Sequence, residues 1–229
     1  VSGVIKTKGT GSVALNSPSV SIAAAGDITT STGSVAITGT AIGTAGDVTT
    51  TSGAIGYTGA VTLTGNVATT SALAGADLSF SSSLALSTFN FTASQGLGKA
   101  SVTGAITGTG NLSITSTATP SSGSAISLAA VTAGAVSLTG AGDVSVSGVV
   151  SATSVNAKST AGDVVFSDTV STSAIGGFTS EATAAAKATK IAKTITVNAG
   201  ANALVTGNLV TTSDQSSALA GITVNGTAT

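Results

Sequence analysis

Apolar residues along this chain come in short bursts that alternate with Ser, Thr and Gly. In GAVSLTG, from Gly134 to Gly140, an extended backbone places Val136 and Leu138 on one side and Ser137 and Thr139 on the other. The same pattern recurs as GSVAITG at Gly33, GAVTLTG at Gly59, GNLSITS at Gly110, GDVSVSG at Gly142, GDVVFSD at Gly162 and GITVNG at Gly221. Each burst predicts a strand of about five residues with Val, Ile, Leu and Ala turned inward. Gly and Asp or Asn between bursts predict corners, with Gly tolerating a positive φ and the short polar side chain capping the turn.

The bursts belong to a repeat. AGDITTSTGSVAITG (Ala25 to Gly39) and AGDVTTTSGAIGYTG (Ala45 to Gly59) align without a gap, so Ala45 takes the place of Ala25 one repeat later. The AGD tripeptide returns at Ala141 and again at Ala161, with the same offset between them. Gly26, Asp27, Gly46, Asp47, Gly142, Asp143, Gly162 and Asp163 are therefore expected to occupy equivalent turns. A period of about 20 residues holding several short strands predicts a β-solenoid, a parallel β-helix in which each rung circles a small apolar core and hydrogen-bonds to the rungs above and below. About 11 rungs stacked at about 4.8 Å make a rod about 50 Å long.

Two stretches fit the template poorly within what otherwise reads as one repetitive all-β domain over residues 1–229. Between residues 80 and 96 the register wanders, and three of the five phenylalanines, Phe80, Phe89 and Phe91, fall there. The expectation is an irregular rung or corner packed by larger side chains. From Phe178 to Lys193, FTSEATAAAKATKIAK is Ala-rich and carries Lys187, Lys190 and Lys193 at a spacing of three. Thr179 or Ser180 as a cap, Glu181 in a first turn and lysines toward the far end predict a short helix or loop inserted between strands.

Composition narrows the function classes. Only 7% of the 229 residues are charged, the net charge is −1, and His, Cys, Met, Trp and Arg are absent. Mean hydropathy is +0.54, the reverse of a disordered chain. The apolar residues are interleaved with polar ones, so no run reaches the roughly 18 needed for a spanning helix, and six aromatics do not supply the girdles of a membrane barrel. Without His or Cys there is no histidine triad, no thiol nucleophile and no ordinary zinc site. The acids are accounted for by turns rather than by a carboxylate pair across a bond. No catalytic, cofactor-binding or metal-ligating residue is expected; an incidental Ca²⁺ on stacked Asp is the one ion left open. Seven Lys and no Arg at net charge −1 argue against nucleic acid. Three N-x-S/T sequons, at Asn90, Asn111 and Asn225, are candidate glycosylation sites.

The AGDVTTTSGAI and GAVSLTGAGDVSVSG stretches resemble the repeat region of filamentous-haemagglutinin-like and autotransporter-like surface proteins. The resemblance is clearest over residues 20–65 and 130–168. It implies a secreted, right-handed parallel β-helix that builds adhesins or surface fibres, and it implies no catalytic residue. The secretion domain that precedes such repeats in that family is not recognisable here. The alternative fold is a β-sandwich fibre subunit completed by donor-strand exchange, for which Val1, Val4 and Ile5, ahead of a Gly-rich hinge, would be the assembly strand. Both readings lead to one expectation: a secreted, non-enzymatic structural subunit of an extracellular filament or surface layer. It would be a homo-polymer formed head to tail through strand edges, with its leader removed before Val1. The competing expectation is an adhesin stalk or binding module for a glycan or cell surface.

Overall fold

The computed structural model describes residues 1–73, 76–173, 177–184, 188–191, 195–199, 204–206, 208–211 and 222–226, with side chains through Ile191 except that of Ala188. The chain is all-β, with no helix among these residues, and it coils as a β-solenoid of about eight turns with about 22 residues per turn. Strands beyond the eighth turn continue the same ladders. No described helix is long and apolar enough to cross a membrane.

Three parallel ladders form the three faces of the coil. The first face stacks Ile5–Lys6, Ile28–Thr29, Val48–Thr50, Val67–Ser71, Phe91–Gln95 and Leu112–Ser116, then the far halves of Val131–Gly140 and Val150–Ser159, then Phe178–Ala182. The second face stacks Val13–Asn16, the near halves of Val35–Thr44 and Ile55–Leu63, then Leu78–Phe80, Ala100–Val102, Ile126–Leu128, Val144–Val146, Val164–Phe166 and Ala188–Ile191. The third runs from Ser19–Ile22 through the far halves of Val35–Thr44 and Ile55–Leu63 to Leu84–Ser87, Ile106–Gly108, the near halves of Val131–Gly140 and Val150–Ser159, and Val170–Thr172. A coil whose pairings are parallel throughout leaves no place for the β-sandwich alternative, which needs antiparallel sheets.

The alternation read from the sequence is what closes the tube. In Val144–Val146 and Val164–Phe166 the outer residues of each triplet are buried and the middle one is not. The same rule gives Ile28, Val48, Val35, Ile55, Leu84 and Ile106 side chains with no more than 1% exposure. Four strands of nine or ten residues bend around a corner and serve two faces; in Val35–Thr44 the alternation breaks at the bend. Small residues occupy these bends, with Gly39, Gly59 and Gly134 in three of them and Thr153 and Ser154 in the fourth.

The structure bears on several of these expectations. The mean turn is longer than the repeat of the AGD corners because the turns are unequal. Val144 pairs with Val164 exactly one AGD repeat on, whereas Ala100 pairs with Ile126, a longer way round. Residues 80–96 lie inside the ladders. Phe80 and Phe91 are fully buried and Phe89 packs on the core from a corner; the local irregularity is a bulge at Ala85/Ser87, where Ser87 has φ 57°. The helix or loop expected at 178–193 is strand where described: Phe178–Ala182 pairs with the far half of Val150–Ser159, and Thr189, Lys190 and Ile191 pair with Val164–Phe166. Its alternation was hidden because the inward residues Ser180, Ala182 and Thr189 are small or polar. Lys187 and Lys193 lie outside the described residues.

Candidate functional site

The AGD corners are not equivalent. Asp27 and Asp47 stand where the third face turns into the first, immediately before Ile28 and Val48. Asp143 and Asp163 stand where the first face turns into the second, before Val144 and Val164. The tripeptide has one job at both places. Asp27 Oδ1 accepts a hydrogen bond from the Asp47 N–H at 2.9 Å, and Asp143 Oδ1 accepts one from the Asp163 N–H at 2.8 Å. Each carboxylate ties its turn to the next where the ladder would otherwise be interrupted.

The strut continues with asparagine. Asp47 Oδ1 accepts from Ala68 N–H at 2.7 Å, Asn66 Oδ1 from Asn90 N–H at 2.9 Å, Asn90 Oδ1 from Asn111 N–H at 3.0 Å and Asn111 Oδ1 from Ala135 N–H at 2.8 Å. At the other corner Asp77 Oδ1 accepts from Lys99 N–H at 2.7 Å, and Asp163 forms an ion pair with Lys190 at 2.5 Å. The sequon residues Asn90 and Asn111 are thus corner struts. Asn225 lies in Ile222–Gly226, and its side chain is outside the described residues.

The AGD glycines are required for space rather than for a left-handed backbone, since none of Gly26, Gly46, Gly142 or Gly162 is among the positive-φ residues. A Cβ at Gly162 would stand 2.3 Å from the Asp143 backbone nitrogen, and one at Gly46 would stand 2.8 Å from Ile22 Cγ2. At the start of the chain, Ile5 belongs to the first ladder against Ile28 and donates its N–H to the Asp27 carbonyl at 2.8 Å, while Val1 and Val4 are exposed.

Two features went unnoticed in the sequence. The first is an outward array on the first face, where Thr29, Thr49, Thr70, Ser94, Thr115 and Thr139 are direct cross-strand neighbours. Their hydroxyls repeat at about 4.8 Å along the rod. The array runs on into Lys158 and Glu181, which pair at 3.1 Å. The second is inward. The last inward position of the first face is polar at Thr30, Thr50, Ser71, Gln95 and Ser116 and, after Gly140, again at Ser159, none of these six more than 2% exposed. Thr30 and Thr50 donate to the Gly33 and Gly53 carbonyls, and Ser116 and Ser159 donate to the Gly98 and Gly142 carbonyls. Both features show in the sequence only once strands are aligned on unequal turns, because the fixed AGD period sets Thr70 opposite Asn90 instead of Ser94.

The buried aromatic rings gather in two clusters of the core. Tyr57 and Phe80 stack in parallel at 4.6 Å, and Phe80 meets Phe91 edge to face at 5.5 Å. Burial pushes the Tyr57 phenol well above its ordinary value, and the nearby Asp47 carboxylate adds to the rise. Among the described residues no three His, Cys, Asp or Glu side chains gather as a metal group would require. The surface therefore offers periodic hydroxyls, amides and a few ion pairs, a chemistry of hydrogen bonding. No family model, curated protein or solved structure matches this chain.

Proposed function

We propose that this chain is a secreted, non-enzymatic structural subunit of an extracellular filament or surface layer. The observation that supports the reading is the match between one edge of every turn and the opposite edge of the next on all three faces. A turn stacked on an exposed edge finds backbone donors and acceptors already in register. A second copy seated in this way would continue the three ladders head to tail. Close packing of small side chains and the lack of oxidisable Cys and Met suit a durable material. Negative-stain electron microscopy over a dilution series tests the proposal. Filaments or sheets of regular width that persist on dilution are expected; monodisperse short rods would refute self-assembly.

The outward Thr and Ser array supports a second reading, an adhesin stalk that binds a glycan or cell surface. A repeat of hydroxyls at about 4.8 Å offers many weak hydrogen bonds to a periodic polymer. A glycan-binding screen with Thr49→Val and Thr115→Val variants separates the two: loss of binding with filaments intact assigns adhesion to this face.

A further inference from the structure

The polar seam inside the first face is satisfied at four of its positions by corner carbonyls and left without partners at two neighbouring ones. Ser71 Oγ, Gln95 Nε2 and Gln95 Oε1 are buried and make no hydrogen bond, although each residue is only 1% exposed. Ser71 and Gln95 are direct partners on adjacent turns, so their backbones run about 4.8 Å apart and both side chains enter the same stretch of the tube. Buried polar groups in native proteins are almost always paired with protein or ordered water, and an unpaired amide in an apolar core is costly. The three open atoms comprise an acceptor carbonyl, a donor NH₂ and a hydroxyl that does either. A buried water makes about three hydrogen bonds, and this set matches it.

We infer that a water molecule is bound inside the solenoid between Ser71 and Gln95 and bridges the two turns. Gln95 shares its strand with Phe91, whose ring meets Phe80 edge to face. The flanking seam hydroxyls of Thr50 and Ser116 are already engaged with the Gly53 and Gly98 carbonyls, so within the seam the open atoms are those of Ser71 and Gln95; Thr69 Oγ1, two residues before Ser71 on the same buried side, is a further open hydroxyl beside them.

The test reads the Gln95 side-chain amide of the ¹⁵N-labelled chain by water-selective nuclear Overhauser spectroscopy, with the amide pair assigned by its disappearance in Gln95→Met. A cross-peak from Gln95 Nε2–H to a long-lived water is expected, and it should persist in Ser71→Ala, where two of the three anchors remain. No cross-peak in the wild type, or a cross-peak that vanishes in Ser71→Ala because it was relayed by the hydroxyl, would overturn the inference. Should the variants fail to fold, a high-resolution crystal structure of the wild type decides. Water density within hydrogen-bonding distance of both residues supports the site, and a direct Ser71–Gln95 hydrogen bond with no water contradicts it.

Discussion

The turns of residues 28–63 and those of residues 67–116 are built on the same three ladders with different perimeters. In the first region partners keep the short AGD offset, as Ile28 with Val48 and Val35 with Ile55. In the second the offset grows, with Val67 opposite Phe91 and Ala100 opposite Ile126. The narrow turns enclose Ile and Val, whereas the rings of Phe80 and Phe91 fall in the wide ones, with Tyr57 stacked at their border. Part of the added perimeter surrounds the rings, because a core is packed to near-constant density, and part is exposed corner, as in residues 119–124 between Leu112–Ser116 and Ile126–Leu128. Unequal offsets recur further along the rod. Val144 and Val164 keep the short offset, with Phe166 opposite Val146 in the same pairing, and the step from Val155 to Phe178 is longer where Phe166 and Phe178 meet at 5.9 Å.

The largest effect should come from emptying the wide core. Phe80→Ala removes the ring that links Tyr57 to Phe91, and a loss of about 3–5 kcal/mol in denaturant unfolding is expected. Val48→Ala in a narrow turn should cost about 2 kcal/mol, and equal losses would break the contrast. Next comes the clearance between narrow turns. A Cβ at Gly53 would stand 1.9 Å from the Gly33 carbonyl oxygen, so Gly53→Ala should cost about 3 kcal/mol. Gly56, whose nearest neighbour would be the Ser79 hydroxyl at 3.5 Å, should accept Ala with a change below about 1 kcal/mol.

Corner struts should matter less. Asn90→Ala removes the acceptor for the Asn111 N–H and should cost about 1 kcal/mol, with Asp47→Ala about the same or slightly more. The smallest effect at neutral pH is Tyr57→Phe, within about 1 kcal/mol, because the phenol has no hydrogen-bond partner to lose. Its signature lies in alkali. The folded state holds the Tyr57 proton more tightly than the unfolded chain, whose phenol titrates near 10.0. Stability from this group is therefore complete below that value and falls as pH rises above it. Thermal melts taken from neutral into alkaline pH should show that decline in the wild type and a weaker one in Tyr57→Phe.

Much of the coil was legible because period-two alternation and the regular AGD spacing both reflect backbone geometry. Val136 and Leu138 inside, with Ser137 and Thr139 turned away, read directly from GAVSLTG. What was not legible depended on perimeter. Turn length varies along the rod, so the four AGD aspartates looked equivalent although a face separates the two pairs. The segment from Phe178 looked helical because Ala and Lys carry helix propensity, and the pairing with Val155 that overrides it lies a full turn back along the chain. The strut role of Asn90 and Asn111 was masked by their sequons, and the seam at Gln95 by a wandering register.

The central claim is that narrow and wide turns form one continuous stack. The chain has no cysteine, so spin labels can be placed on paired cysteines along the outward array without a background. Thr29 is three turns from Ser94, four from Thr115 and five from Thr139. Pulsed dipolar distances from Thr29 should rise by about 4.8 Å per turn, with backbone separations near ~14, ~19 and ~24 Å. A linear rise through the wide turns is the predicted result; a jump or a plateau between Thr70 and Thr115 would contradict the stack.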